Sequence, residues 1–184
     1  MDQATQDYRQ FLAGDESALV RLIREYRDGL MLYLHGMVSD LSVAEELAED
    51  TFLKLVLKKP RFSARCSFKT WLYTIGRNWA MDYLRRNRQS TVCLEDCPEI
   101  QDEAEDLERR YIQQENCLLL HRTMKRLKPE YRQALWLVYF EGFRCGEVGK
   151  IMGKSEATAQ TLVSRARQAL KLKLLEEDFD YENL

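Results

Sequence analysis

Four residues in the middle of the chain have the types that bind zinc. Cys93 and Cys97 are four positions apart, as are Cys117 and His121, a spacing that would place two ligands on one face of a helix. Three thiolates and an imidazole form a recognised tetrahedral zinc set. However, Pro98 directly follows Cys97, the spacing matches none of the common zinc signatures, and Cys117 fits equally well as a small buried hydrophobe. We therefore expect no metal site and no cofactor.

Residues with catalytic potential are scarce elsewhere. The chain has two histidines and lacks a Gly-rich phosphate loop or a nucleophile elbow, so we do not expect an enzyme. The longest apolar run, 134–140, is too short to span a membrane, and the first residues do not resemble a signal peptide. These features predict a cytoplasmic protein without membrane insertion. Its five cysteines are then expected to be reduced thiols.

Charge is arranged in blocks of opposite sign. Residues 54–88 carry ten basic side chains against one acid, and residues 150–173 carry six against one. Residues 95–108 carry eight acids and no base, and residues 176–184 carry five acids. Two basic blocks predict two polyanion-binding surfaces, although a net charge of −2 disfavours strong unaided binding to DNA. Solvated helix faces are the alternative explanation.

Apolar residues recur at helical spacing in the first half of the chain. They predict helices over about 18–38, 42–58 and 68–86, the second opening with a capping box formed by Ser42 and Glu45. The third helix is expected to bury one apolar side, made of Phe68, Trp71, Leu72, Ile75, Trp79 and Tyr83. Residues 89–106 lack this periodicity and are typical of a linker.

The second half returns to helical spacing near Leu107. Pro129 is suited to the first turn of a helix ending at Gly142, and shorter helices follow over about 146–152 and 155–175. The sequence thus predicts an all-α fold of two small helical domains. Their expected bounds are residues 1–89 and 114–184, joined by an acidic flexible linker over 90–113.

The last two helices have the pattern of a helix-turn-helix. Such a motif needs a small residue in its first helix, a glycine in the turn and apolar residues facing inward. Val148, Gly149, Met152, Gly153, Ala159 and Leu162 supply these, and Ser155 can cap the second helix. Lys154 departs from the pattern, because an apolar residue is usual there. An ordinary amphipathic helix is the competing interpretation.

A basic stripe is predicted on the third helix, opposite its apolar side. Lys69, Tyr73, Arg77, Met81, Arg85 and Arg88 follow one another at steps of three or four. Cations with an interleaved aromatic suit single-stranded or opened DNA. Trp71 and Trp79 are expected to lie in the core instead.

Three segments resemble extracytoplasmic-function sigma factors. Phe68–Arg86 (FKTWLYTIGRNWAMDYLRR) resembles the segment that melts and reads the −10 promoter element in that family. Ala44–Phe52 (AEELAEDTF) resembles the helix that binds the clamp of RNA polymerase, and Leu127–Gly142 with the helix-turn-helix resembles the −35-binding domain. The resemblance implies a sigma factor that binds RNA polymerase core through the β′ clamp and β flap and directs it to promoter DNA. An anti-sigma factor is a further implied partner.

The resemblance also implies the residues of each interface. Expected −10 contacts are Arg61, Arg65, Lys69, Tyr73, Arg77, Asn78, Arg85, Arg86 and Arg88. Expected −35 contacts are Gln160, Thr161, Ser164, Arg165, Arg167 and Lys171. Expected contacts with polymerase core are Glu46, Glu49, Asp50, Phe52 and Leu53.

The sequence departs from the family in two places. The family usually has a basic residue at the position of Leu162 and often at Gln160, so the −35 readout is less cationic here. Cys66 lies in the loop that would hold an extruded base, which leaves the −10 preference open. A stand-alone helix-turn-helix regulator is the alternative function, and a metal or redox sensor is a weaker one.

Overall fold

A computed structural model describes residues 2–88 and 122–175, and all regular secondary structure in these ranges is helical. This confirms the predicted all-α class. The helices form two compact units. The first contains α1 (Gln3–Leu12), α2 (Glu16–Val38), α3 (Leu41–Lys58) and α4 (Phe68–Arg88), and the second contains α5 (Pro129–Tyr139), α6 (Cys145–Met152) and α7 (Glu156–Leu175). No helix among the described residues is long and apolar enough to cross a membrane.

Aspartates start the first three helices. The carboxylates of Asp2, Asp15 and Asp40 each accept a hydrogen bond from a backbone N–H in the first turn, at 3.0 to 3.1 Å. Such a cap satisfies an N–H that has no partner inside the helix. The predicted capping box at Ser42 is wrong, because Asp40 caps α3 and the helix begins at Leu41.

Helix α1, which closes one side of the first unit, was not predicted from the sequence. Tyr8 of α1 is fully buried, and its ring centroid lies 5.3 Å from those of both Phe68 and Trp71 of α4. Arg21 of α2 donates two hydrogen bonds to the buried carboxylate of Asp7, at 2.8 and 3.0 Å. Aromatic packing and a charge-assisted pair therefore hold α1 against both neighbouring helices.

A glycine lets α4 approach α2 closely. A Cβ added to Gly76 would lie 2.9 Å from a methyl carbon of Leu30, closer than real side chains pack. The missing side chain thus sets how deeply α4 is buried. This depth decides which α4 side chains reach solvent.

The second unit is built around a short helical hairpin. Pro129 occupies the first turn of α5, as predicted, but α5 ends at Tyr139 rather than at Gly142. Gly142 adopts a φ of +70°, and the backbone N–H of Phe143 donates to the carbonyl of Leu137 at 2.9 Å. This reversal returns Phe143 to the core and directs the chain into α6.

Candidate nucleic-acid and protein interfaces

The α6–α7 pair has the geometry of a helix-turn-helix. A Cβ on Gly149 would lie 2.9 Å from the carbonyl oxygen of Lys154, so only glycine permits this crossing. Gly153 has a φ of +67°, which suits glycine in the turn. The hydroxyl of Ser155 accepts a hydrogen bond from the backbone N–H of Thr158 at 3.1 Å, which confirms the predicted cap. The inward-facing set is also buried, as expected: Val148, Met152, Ala159, Leu162, Val163, Ala166 and Leu170.

Lys154 takes the place of an apolar turn residue by pairing with α5. Its Nζ lies 3.4 Å from a carboxylate oxygen of Glu130 in the first turn of α5. Glu130 is otherwise well exposed, so the pair contributes at most about 1 kcal/mol. It nonetheless ties the turn of the motif to the start of α5.

The outward face of α7 carries all six residues predicted to contact the −35 element. They are exposed side chains: Gln160, Thr161, Ser164, Arg165, Arg167 and Lys171. Arg165 borders an open groove of about 460 Å³ that is also lined by Glu130, Lys154 and Thr161. The guanidinium of Arg167 lies 5.7 Å from the ring centroid of Tyr139, a cation–π distance.

The prediction of Tyr73 as a stacking aromatic on an exposed stripe is wrong. Tyr73 is 0% exposed, and its ring lies 5.5 Å from that of Tyr33 on α2. Helices α1, α2 and α3 all pack against α4, so the side opposite Trp71 is also covered. Burial raises the pKa of the Tyr33 phenol, and the neighbouring Arg77 cation partly offsets that effect.

The apolar side of α4 is less buried than predicted. Phe68 and Leu72 lie in the core, as expected. The remaining four members of the set are half-buried: Trp71, Ile75, Trp79 and Tyr83. The actual core of α4 also includes Tyr73, Gly76 and Ala80, because these residues face α2 and α3.

The cations predicted for the −10 surface differ in exposure. Arg61, Arg65, Arg85 and Arg86 are exposed with Asn78, whereas Lys69 and Arg77 are half-buried. Lys69 Nζ lies 5.7 Å from the Tyr73 ring centroid, and Arg85 pairs with Asp82 at 2.6 Å. The side chain of Arg88 lies outside the described residues.

Asn78 borders a small groove that sequence reasoning missed. The groove has a volume of about 160 Å³ and is lined by Lys54, Ile75, Asn78, Trp79 and Asp82. Lys54 Nζ lies 5.5 Å from the Trp79 ring centroid. The pairing of Lys54 with Trp79 depends on how α3 packs on α4, so no local sequence pattern could have revealed it.

The loop before α4 is fixed at both ends. Phe62 packs against Trp71 with ring centroids 5.1 Å apart, and the Tyr8 hydroxyl donates to the Pro60 carbonyl at 2.8 Å. At the other end, the Ser67 hydroxyl accepts from the backbone N–H of Thr70 at 3.2 Å. The loop therefore presents exposed Arg61 and Arg65 from anchored backbone, with Cys66 half-buried between them and α4.

An acidic and apolar groove lies between α2 and α3. It has a volume of about 580 Å³, and its lining includes Ile23, Arg27, Glu46, Glu49, Asp50, Phe52, Leu53 and Val56. Glu46, Glu49 and Asp50 are exposed, and Leu53 is 49% exposed. Phe52 is only 5% exposed but lines the groove, so its contact with polymerase stays a prediction.

Arg27 lies close to two acidic side chains of α3, Glu45 and Glu49. Its guanidinium hydrogen-bonds to Glu45 and lies 4.0 Å from the Glu49 carboxylate. This cation offsets the repulsion expected between Glu45 and Glu49 at four-residue spacing. Among the described residues, no cation lies within ion-pair distance of Glu46 or Asp50. These two carboxylates can therefore pair with cations of another molecule.

No cluster of three potential metal ligands is present within residues 2–88 and 122–175. Cys93, Cys97, Cys117 and His121 lie outside these described residues.

Family comparisons match both units. The family described as Sigma-70 region 2 matches residues 22–90, and Sigma-70, region 4 matches residues 117–170. The chain is 30% identical to the ECF RNA polymerase sigma factor BldN of Streptomyces coelicolor over 90% of its own length and 63% of the length of that relative. It is also 30% identical to the RNA polymerase sigma factor SigZ of Bacillus subtilis, covering 80% of this chain and 81% of SigZ.

A solved structure gives a similar result. The sigma factor RpoE from Bartonella quintana, determined in complex with the anti-sigma factor NepR, is 25% identical to this chain with a TM-score of 0.62. The match covers 84% of this chain and 94% of RpoE.

Proposed function

Because the chain belongs to the extracytoplasmic-function group of the sigma-70 family, we propose that its two units carry out the two promoter-reading tasks of a sigma factor. The chain binds RNA polymerase core and directs it to promoters, where transcription begins. This function is favoured over a stand-alone helix-turn-helix regulator. We assign residues 1–89 to clamp binding and the −10 element, 90–113 to the linker, and 114–184 to the −35 element.

The groove between α2 and α3 is the proposed clamp site. Exposed Glu46, Glu49 and Asp50 provide negative charge, and Leu53 provides apolar surface beside it. A basic surface with an apolar centre would complement this groove in both respects. The groove is the observation that carries the proposal, because a regulator acting alone has no need of an acidic protein-binding surface beside a basic DNA-binding one.

The −10 element is assigned to α4 and the loop before it. Arg61, Arg65, Arg85 and Arg86 are exposed cations that can neutralise phosphates of opened DNA. Asn78, at the small groove with Lys54 and Trp79, is the proposed reader of a −10 base. The half-buried Lys69 and Arg77 contribute positive potential at the edge of this surface.

The −35 element is assigned to the outward face of α7. Amide and hydroxyl groups of Gln160, Thr161 and Ser164 can hydrogen-bond to base edges in the major groove. Arg165 and Arg167 are the proposed phosphate contacts, and Lys171 adds a cation further along the helix. The β flap is the proposed polymerase contact of this second unit.

The proposals on catalysis, location in the cell and a regulatory partner follow from a function that depends on RNA polymerase. We propose that the chain has no catalytic chemistry of its own and works in the cytoplasm, where polymerase and promoter DNA are located. Since the similar RpoE structure contains an anti-sigma factor, we also propose an anti-sigma partner for this chain. Such a partner would hold the factor inactive by covering the surfaces used for polymerase.

A gel-shift assay tests this function. A labelled promoter fragment is mixed with the chain alone, with core polymerase alone, and with both. We expect a sequence-specific complex only with both, because the net charge of −2 disfavours unaided binding. Specific binding by the chain alone, unchanged by core, would support the stand-alone regulator instead.

A further inference from the structure

We propose that Lys154, in the turn of the helix-turn-helix, contacts a phosphate of the −35 element, and that Glu130 of α5 competes with DNA for this cation. The inference rests on the proposed function of α7, and it adds a DNA contact and an opposing carboxylate to that function. Lys154 is paired with Glu130 in the free protein. In the promoter complex its ammonium group pairs with a phosphate instead.

Lys154 and Glu130 lie at the margin of the proposed DNA-reading face. Both line the groove of about 460 Å³ that also includes Thr161 and Arg165, two of the proposed −35 contacts. Because a recognition helix enters the major groove, phosphates run along both sides of its reading face. DNA that reaches Thr161 and Arg165 therefore brings phosphates towards Lys154. Among the described residues lining this groove, Lys154 and Arg165 are the cations and Glu130 is the acid.

The turn of the motif holds Lys154 on a fixed backbone. The N–H of Lys154 donates to the carbonyl of Gly149 at 2.8 Å, directly after the left-handed Gly153. The side chain of Lys154 is 26% exposed, so it is partly covered by its neighbours, whereas that of Glu130 is 63% exposed. A lysine held in this way loses little further freedom when it meets a phosphate, which favours binding.

Stability does not account for a lysine in this turn. An apolar residue is usual at this place, because it packs between the two helices of the motif. The ion pair with Glu130 contributes little to stability in exchange, since water screens a carboxylate as exposed as this one. DNA is a stronger competitor for the cation, because phosphate binding also releases counterions. The lysine thus provides charge at the edge of the DNA surface rather than packing.

A double-mutant cycle in the full-length chain tests both parts of the proposal. Lys154→Met replaces the cation with an apolar side chain of similar length, Glu130→Gln removes the competing charge, and a third variant combines the two. Glu156→Gln, made with and without Lys154→Met, is the matched control. Like Glu130, Glu156 is an exposed acid in the first turn of a helix, but its carboxylate lies beside Gly146 and does not line the groove.

Each variant is assembled with core polymerase, and its binding to promoter fragments with an intact or a scrambled −35 element is measured by fluorescence anisotropy at several salt concentrations. We expect Lys154→Met to weaken binding to the intact fragment and reduce the salt slope by about one unit, because one phosphate contact is lost. Glu130→Gln should tighten binding about threefold more when Lys154 is present than in Lys154→Met, since only then does it free a cation. Glu156→Gln should have the same effect in both backgrounds.

Two further substitutions separate charge from packing. Lys154→Gln should repeat the reduced salt slope of Lys154→Met, and Lys154→Arg should keep the slope of the parent. Melting temperatures close to that of the parent show that each variant is folded. A parental salt slope in either Lys154→Met or Lys154→Gln would overturn the phosphate contact and leave the ion pair as a link between the turn and α5.

Equal gains from Glu130→Gln in the two backgrounds would overturn the competition between Glu130 and DNA. Failure of the proposed function gives a different result, which is seen before any variant is compared. In that case the parent holoenzyme would bind the intact and the scrambled −35 fragments equally, and both the function of α7 and the role of Lys154 would be overturned.

Discussion

The guanidinium of Arg167 lies 5.7 Å from the ring centroid of Tyr139, which holds it on the opposite margin of α7 from Arg165. Two residues of helix correspond to a rotation of about 200°, so these arginines flank the outward face rather than share its centre. The centre is occupied by Gln160 and Ser164, whose side chains are exposed. A major groove that receives this face would place bases opposite its centre and phosphates opposite its margins.

Replacing either arginine should weaken DNA binding without changing sequence preference. Arg165→Ala and Arg167→Ala should each lower affinity evenly across −35 sequences and reduce the salt slope by about one unit, because one phosphate contact is lost. Binding of holoenzyme to a duplex panel at several salt concentrations measures this. A change in preference at a single base pair, worth about 1–3 kcal/mol, would instead assign that arginine to a guanine.

Gln160→Ala, at the centre of the outward face of α7, is the substitution to compare with Arg165→Ala and Arg167→Ala at its margins. It should alter preference at one position by about 1–3 kcal/mol and leave the salt slope unchanged, since an amide reads base edges and neutralises no phosphate. The same duplex panel reports it. A uniform loss of affinity across the panel would contradict the assignment of Gln160 to base reading.

The acidic groove predicts a charge-dependent polymerase contact. Glu49→Lys combined with Asp50→Lys should cost about 2–5 kcal/mol of core binding, because cations of the partner would lose their counter-charges and meet like charge. Helicity by circular dichroism should be retained, as both side chains are exposed. Glu25→Lys, at an exposed acid of α2 outside the groove, is the control and should bind core normally. Unchanged core affinity in the double variant would rule out this surface.

Asn78 and Tyr73 should behave differently although both were predicted −10 contacts. Tyr73→Ala should destabilise the fold by about 3–5 kcal/mol, because it empties a fully buried aromatic site. Asn78→Ala should leave the melting temperature and core binding unchanged and impair initiation from promoters that depend on their −10 element. Thermal melts and open-complex assays separate the two effects. A selective −10 defect in a fully stable Tyr73→Ala protein would contradict the buried placement.

Burial raises the pKa of Tyr8 to about 12, which predicts a loss of stability at alkaline pH. The unfolded chain titrates near a pKa of 10, so it releases this proton first as the pH rises. The stability that the buried, protonated Tyr8 phenol contributes to the fold is complete below pH 10. It is lost as the pH rises through about 12. Urea midpoints measured across this range should fall more steeply for the parent than for Tyr8→Phe, and equal slopes would contradict the prediction.

The helix-turn-helix could be predicted closely from the sequence because the residues that define this motif lie close together in the chain. The small residues Gly149 and Gly153, the cap at Ser155 and the inward spacing on α7 all act within about 25 residues. The unusual Lys154 was identified as a departure, but its partner was not. Glu130 lies on a different helix, and only the packing of α5 on the turn brings the two together.

The first unit was harder to predict, because tertiary packing overrode local patterns there. Tyr73 has the position of an exposed residue on a two-sided helix, but three helices surround α4 and bury it. Asp40 and Ser42 both have capping side chains, and the fold uses the earlier one. The short helix α1 was missed although Ala4, Tyr8 and Phe11 have helical spacing, since the pattern spans only two turns.

Run-off transcription with purified core polymerase on a library of promoter fragments tests the central assignment most directly. Core alone should produce no specific transcripts. Core with this chain should initiate from a subset of fragments that share one element near −10 and another near −35. The Glu49→Lys and Asp50→Lys variant should abolish those transcripts. A transcript set that is the same with and without the chain would contradict its assignment as a promoter-directing subunit.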